Sequence, residues 1–396
     1  MISDRQEVQQ SQVELTDQEK ERCLTLDDVM PSNAQFEAYR QNKSIGLPTK
    51  LQQDIIRITF EDIIGSDDFQ TKKSAQKKVF DLADSNTADI TALANLVFRT
   101  TTAGRGTPVA RELYRIAMDN GDSNAAFSYA NILCKGSGGT ARNVADGMKI
   151  LSQLASNGHV YAQFSLASML AREKNDYIKA IELYESAGHG GISNAWTEIG
   201  RMYRGGIGVA QDHEMAFQCF KKGADAKNAQ SIFMMGVYYS NGLDTNDGKI
   251  DEEKAFKCFV SAASKGLPEA QYNVGDRYFR GVGTKQNYGL ATEYWKMAAA
   301  QGFRIAQMNL ARMYDDGLGV EKNTNLAKRY YMLAAVKDDD DIGKEAKKQL
   351  EMIQEKEGRA EASKSSEEVT FEKGEMKMSS DEKKSGKERI WNCWVM

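Results

Sequence analysis

Proline is nearly absent from this chain, with four residues in 396 against 33 glycines. So few forced breaks in backbone hydrogen bonding predict helices punctuated by glycine rather than a proline-rich multi-strand fold. Cysteine is sparse and odd in number (Cys23, Cys134, Cys219, Cys258, Cys393), with no C-x-x-C pair, which excludes a disulfide framework and reads as a reduced, intracellular chain. The three histidines, His159, His189 and His213, have no spacing that suits zinc and read as surface loop residues. No apolar run reaches the roughly eighteen residues of a membrane span. The start, Met1-Ile2-Ser3-Asp4-Arg5-Gln6, lacks the apolar stretch of a secretory signal, and the many acids that follow do not suit a transit peptide. Neither sign of charge dominates: the net charge is -4, the pI is near 5.7, and no basic face appears outside the tail, so no nucleic-acid partner is expected.

What the chain does have is repetition. A segment returns every 33 to 39 residues, the period of a helix-turn-helix repeat. Small residues recur five apart as Ala125/Ala130, Ala162/Ala167, Ala195/Gly200, Ser231/Gly236, Ala270/Gly275 and Ala306/Ala311. Three residues beyond each second position stand Leu133, Leu170, Tyr203, Tyr239, Tyr278 and Tyr314, marking a packed stripe. A second helix opens on Ala110, Gly147, Ala180, Ala216, Ala255, Ala291 and Ala327, with another small or apolar residue two turns on, from Ala117 to Ala334. Cys219 and Cys258 fall in the register of Leu113, Ile150, Leu183, Tyr294 and Tyr330, so they read as core filler. Glycine marks the passage to the next unit at Gly121, Gly158, Gly191, Gly266 and Gly302, where a left-handed C-cap favours it; Lys227 breaks that rule.

The strings Ala195-Trp196-Thr197-Glu198-Ile199-Gly200-Arg201-Met202-Tyr203, Ala270-Gln271-Tyr272-Asn273-Val274-Gly275-Asp276-Arg277-Tyr278 and Leu310-Ala311-Arg312-Met313-Tyr314 with Gly317 and Gly319 resemble Sel-one-like repeats. That resemblance, to relatives of the tetratricopeptide repeats, implies an all-α, right-handed α-solenoid of antiparallel helix pairs. The unit at Ala162 lacks the glycine loop and the unit at Ser231 carries a longer insert. On this reading the chain divides into a disordered segment (1–33), a helical capping region (34–87) with a helix over Leu51–Ile64 started by Pro48, a repeat array (88–336), a terminal helix (337–355) and a charged, solvated tail (356–396). A helix pair cannot bury its apolar face alone, so neighbouring units must stack, and stacked arrays present an extended concave surface. By analogy with related arrays, polar residues of the first helices line it: Arg201, Asn273, Asp276, Arg277, Asn309 and Arg312. Asn pairs with both groups of an extended peptide and Arg with a carboxylate, so a protein partner is expected there.

Other chemistry dissolves on inspection. Asp244-Thr245-Asn246-Asp247-Gly248 resembles a calcium loop, but its glycine falls at position five and position twelve is Ala255, where a bidentate Glu belongs. The glycines at 136–139 and 205–208 have neither the preceding strand nor the Lys-Ser ending of a phosphate loop. No nucleophile-base constellation recurs, so neither catalysis nor a metal or cofactor is expected, although some bacterial proteins with similar repeats are described as hydrolases.

The final four residues, Cys393-Trp394-Val395-Met396, read as a C-a-a-X box whose Met favours a farnesyl group on Cys393, and Lys383, Lys384, Lys387 and Arg389 supply a basic second signal for an anionic leaflet. Trp394 is bulkier than the usual aliphatic residue there. A repeat array with such a box resembles the fungal chitin synthase regulatory proteins, which implies a scaffold held on the cytoplasmic face of a membrane, activating or localising chitin synthase in cell-wall or septum formation. The alternative is a soluble assembly or quality-control adaptor without the lipid.

Overall fold

A computed structural model describes residues 24–42, 44–101, 104–137, 141–243, 248–336 and 340–371, with side chains as far as 359. Among these residues every regular element is helical. Two compact units divide the chain, Met1–Ser261 and Ala262–Met396.

The described part of unit 1 begins with α1 (Leu26–Val29), α2 (Asn33–Gln41) and α3 (Thr49–Ile58), the last starting after Pro48 and continuing as a π-helical segment over Thr59–Ile64. The span expected from the Leu51–Ile64 spacing is thus helical throughout, with a looser last turn. Then come α4 (Phe69–Leu82), α5 (Thr87–Thr100) and α6 (Thr107–Asp119), followed by pairs: α7 (Ser123–Lys135) with α8 (Val144–Ser156), α9 (Val160–Met169, extended by a π segment to Lys174) with α10 (Tyr177–His189), and α11 (Ser193–Gly205) with α12 (His213–Asp225). After α13 (Ala229–Asn241) comes α14 (Glu252–Ala263), in which the boundary between the units falls. Unit 2 contains α15 (Pro268–Arg280) with α16 (Tyr288–Ala300), α17 (Arg304–Asp316) with α18 (Thr324–Ala334), and the long α19 (Asp341–Phe371).

The packing rule inside each pair follows from side-chain volume. Four residues after the small residue that opens each second helix stand Leu151, Tyr184, Phe220, Phe259, Trp295 and Tyr331, all buried. Where that residue is Phe or Trp, the first helix offers glycine. A Cβ on Gly200 would lie 2.5 Å from the Phe220 ring, one on Gly236 2.8 Å from Phe259, and one on Gly275 2.5 Å from Trp295. Where it is Leu or Tyr, alanine suffices: Ala130, Ala167 and Ala311. The next stripe stacks rings as well, with Tyr278 on Tyr294 (5.8 Å, 26°) and Tyr314 on Tyr330 (5.8 Å, 5°).

Each loop inside a pair is built by one device. An Asn or Asp four residues ahead of the opening small residue caps the second helix: Asn143, Asp176, Asp212, Asp251, Asn287 and Asn323 each accept from the backbone N–H three residues on. The same six residues donate their own N–H to the carbonyls of Leu133, Leu170, Tyr203, Tyr239, Tyr278 and Tyr314, at 2.8–3.1 Å. The unit at Ala162 keeps this bond without a glycine because Asn175 takes the left-handed conformation itself, at φ 53°.

Between pairs, Gly121, Gly158, Gly191, Gly266 and Gly302 sit at φ 82–100° with open space where a Cβ would point, so conformation alone selects glycine there. Lys227 is held at φ 60° in the same turn. Left-handed backbone costs a side-chain-bearing residue about 1–2 kcal/mol, and glycine's looser unfolded chain returns about 0.4–1 kcal/mol of that. Lys227→Gly is therefore expected to stabilise unit 1 by roughly 0.5–1 kcal/mol in urea denaturation followed by circular dichroism. A destabilised variant would refute this account of the turn.

Two boundaries differ from the sequence expectation. Helix begins by Leu26, ahead of residue 34, and α19 runs on to Phe371 rather than stopping near 355. Its packed stripe, Ala346 and Ile353, ends there, but the continuation is rich in Glu, Lys and Ala, which propagate a helix without a core. An i,i+4 pair, Arg359–Glu355 at 3.7 Å, lies on that exposed stretch.

Candidate functional site

On α13 the positions three and six residues after the first small residue are the apolar Met234 and Val237, whereas three other first helices carry charged or amide side chains at both. These are Glu198 and Arg201 on α11, Asn273 and Asp276 on α15, and Asn309 and Arg312 on α17. The half-turn between them belongs to the core, so these side chains emerge on one face of the helix, half-buried except for the exposed Arg201.

Arg201 lies 3.3 Å from Glu198. Asn273 donates through Nδ2 to the carbonyl of Glu269 in its own helix at 2.8 Å, which leaves its Oδ1 and second N–H for a ligand. Asp276 accepts from Arg280 Nε at 2.9 Å, while burial holds its carboxyl above the usual carboxylate range against the pull of Arg280 and Arg277. On the neighbouring helix Asn309 is half-buried, and Arg312 Nη2 stands 3.7 Å from Glu345 of α19. The structure thus places Asn273 with Asp276 and Asn309 with Arg312 in matching register within unit 2, and Arg201 in unit 1.

Arg277 does not join them. It is buried, at 8% exposure, because it occupies the register of Ile132, Met169, Met202, Tyr238 and Met313, all of them core residues. Counting from the small residue Ala270 puts it seven on, a position that the other units fill with an apolar side chain.

The remaining candidates have structural roles. Burial raises the thiols of Cys134 and Cys258 and pushes Cys219 up to about 11, leaving protonated core filler rather than nucleophiles. His159, expected on a surface loop, is half-buried: its Nδ1 accepts from Ala162 N at 3.1 Å as the cap of α9, and its ring stacks on Phe127 at 5.3 Å. His189 meets the edge of Trp196 at 5.0 Å, and His213 Nδ1 lies 3.2 Å from the Tyr238 hydroxyl. Among the described residues no group of three His, Cys, Asp or Glu could hold a metal, and no helix is long and apolar enough to cross a membrane. Asp251, from the acidic insert, is a helix cap, whereas Asp244–Asp247, Cys23, Lys383, Lys384, Lys387, Arg389 and Cys393 lie outside the described residues.

Residues 123–159, 160–191, 197–228, 229–267, 268–303 and 304–338 each match the Sel1 repeat. The match starts later than the expected boundary at 88, so α5 and α6 precede it. An uncharacterized protein of Neisseria meningitidis serogroup B, NMB1327, is 27% identical over 188 residues, which are 48% of this chain and 38% of that protein; this chain therefore spans well under half of that relative. The crystal structure of c5321, a protective antigen of uropathogenic Escherichia coli strains displaying an SLR fold, aligns with a TM-score of 0.58 at 23% identity, covering 85% of this chain and 74% of that one. A Sel1 repeat protein from Oxalobacter formigenes aligns with a TM-score of 0.49 at 24% identity over 58% and 94% of the two chains. The c5321 alignment agrees with the fold described above: solenoid-like repeats of paired helices.

Proposed function

We propose, from the premise that this chain belongs to the Sel1 repeat family, that it is a non-enzymatic scaffold that binds a protein partner on the first-helix faces. One observation carries this reading: in three first helices two positions stay polar in register, as Glu198/Arg201, Asn273/Asp276 and Asn309/Arg312, while the residues between them, Ile199/Gly200, Val274/Gly275 and Leu310/Ala311, are buried. Asn273, Asp276, Asn309 and Arg312 are the residues assigned to the partner in unit 2, and Arg201 in unit 1. A half-buried amide loses little rotamer freedom on binding and offers both a donor and an acceptor to an extended backbone. Affinity capture with the full chain is expected to recover a partner that the double variant Asn273→Ala/Asn309→Ala loses. Equal recovery by both would remove this face from the reading.

The scaffold is further proposed to be tethered by a farnesyl group on Cys393, with Lys383, Lys384, Lys387 and Arg389 as the electrostatic half of the anchor, since one lipid chain alone gives marginal, reversible binding. A role in activating or localising chitin synthase follows from the resemblance in architecture and stands or falls with the tether. Cys393→Ser is expected to move a tagged chain from the membrane fraction to the soluble fraction of a eukaryotic host. Intact mass spectrometry should show the wild type, but not the variant, carrying a farnesyl group and lacking its last three residues. Unchanged fractionation with an unmodified mass would leave the soluble adaptor.

A further inference from the structure

Ahead of the matched repeats, unit 1 holds a cavity of about 380 Å³ lined by Tyr39, Asn42, Ser44, Ala92, Asn95 and Arg99. Its polar lining is rich in hydrogen-bond donors, and no carboxylate is part of it. The two nearest acids in sequence are engaged elsewhere. Glu37 accepts from Arg40 and from Thr49 Oγ1, and Asp89 accepts from Gly46 N at 2.7 Å.

The orientation of one lining group is determined from behind. Tyr114, at 2% exposure, donates its hydroxyl to Asn95 Oδ1 at 2.8 Å. Burial pushes that hydroxyl up to about 12, so it stays a donor throughout the physiological range. With its carbonyl turned towards Tyr114, the Asn95 amide directs its NH2 group, two donors, away from that hydroxyl. Arg99 follows one helical turn later on the same face of α5, and it makes no ion pair among the described residues. The turn that ends α2 is closed by Ser44 N donating to the Tyr39 carbonyl at 3.0 Å, and both residues line the cavity.

We infer that this cavity binds an oxyanion, a phosphoryl or carboxylate group, with the Arg99 guanidinium and the Asn95 amide as its principal donors. Guanidinium matches two oxygens of such a group at once, and charge-assisted bonds of this kind are about twice as strong as neutral ones.

The test is calorimetric titration of the full chain with inorganic phosphate and, separately, with acetate at constant ionic strength. Saturable binding of either is expected, and which of the two binds tells the phosphoryl source from the carboxylate source. Asn95→Asp keeps an acceptor for Tyr114 but turns the remaining donor into a charged acceptor, so it should weaken binding by roughly tenfold or more. Arg99→Gln, an exposed position that the core does not use, should do the same with an unchanged circular dichroism spectrum, and it decides the matter if Asn95→Asp folds poorly. Absence of saturable binding by both anions, or wild-type binding in Arg99→Gln, would overturn the assignment.

Discussion

Trp295→Ala is expected to cost about 3–5 kcal/mol, a large share of the 5–15 kcal/mol that separates typical folded domains from their unfolded chains. The indole is 1% exposed at the centre of the α15–α16 pair. Its Nε1 donates to the Tyr272 carbonyl at 3.1 Å, and its ring packs on Phe279 at 5.5 Å. Removing it leaves a cavity beside Gly275 that the surrounding rings fill only in part. The companion substitution Gly275→Ala tests the same contact from the other side, since its Cβ would lie 2.5 Å from the ring atoms Cδ1 and Nε1. Overpacking of that kind costs about 1–3 kcal/mol, offset by about 1 kcal/mol from alanine's better helix propensity. In the Trp295→Ala background the added methyl enters vacated space, so it should stabilise rather than destabilise. A double-mutant cycle in urea, read by circular dichroism, is therefore expected to be strongly non-additive. Additive costs would show that the glycine and the ring are not coupled.

Arg304→Met is expected to loosen the end of unit 2 by about 2–3 kcal/mol, the worth of a largely buried charge-assisted hydrogen-bond set. Arg304 begins α17, and its side chain is 18% exposed. Through Nε and Nη2 it donates to the Ala334 carbonyl at 2.9 and 2.6 Å, satisfying an acceptor that the end of α18 would otherwise leave without an intrahelical partner. The same guanidinium pairs with Asp340, through Nη2 to Oδ1 at 2.8 Å, and Asp340 Oδ1 accepts in turn from Gly343 N at the start of α19 at 2.8 Å. One side chain thus ties the start of α17, the end of α18 and the start of α19 together. Met preserves the apolar stem and removes every donor, so the effect reads the hydrogen bonds rather than lost packing. Hydrogen exchange should speed up along Ile342–Glu357, while α11 and α12, in unit 1, keep their protection. Unchanged protection in α19 would assign its docking to its other contacts, the apolar stripe of Ala346 and Ile353 and the pairs Arg312–Glu345 and Lys328–Glu357.

Much of the fold was legible because its signals are local. The recurring small residues, the aromatic stripe beyond them and the turn glycines each state what one or two helical turns need, and all were found where the spacing put them. The Asn and Asp caps ahead of each second helix were equally local and were missed, since capping residues look like ordinary loop polarity until the repeat is aligned on them. The polar row was only half legible. Asn273, Asp276, Asn309 and Arg312 keep the register of a surface position, but Arg277 was grouped with them by charge when its register was that of Met202 and Met313. Arg312 could not have been matched to Glu345 from spacing, because their proximity comes from α19 lying back against α17.

The sequence by itself determined the helix-pair period, the positions of the turns and the residues that fill the core. Each depends on backbone conformation or on apolar spacing within a few residues, and the repeat writes it out several times. Only the tertiary structure decided which charged side chains the core takes in, as with Arg277, and how the Asn95 amide is turned by Tyr114 behind it. It also showed that a Phe or Trp ring lodges on a glycine of the facing helix. These outcomes rest on contacts between residues on different helices, where the distance between side chains, and not their order along the chain, fixes the energy.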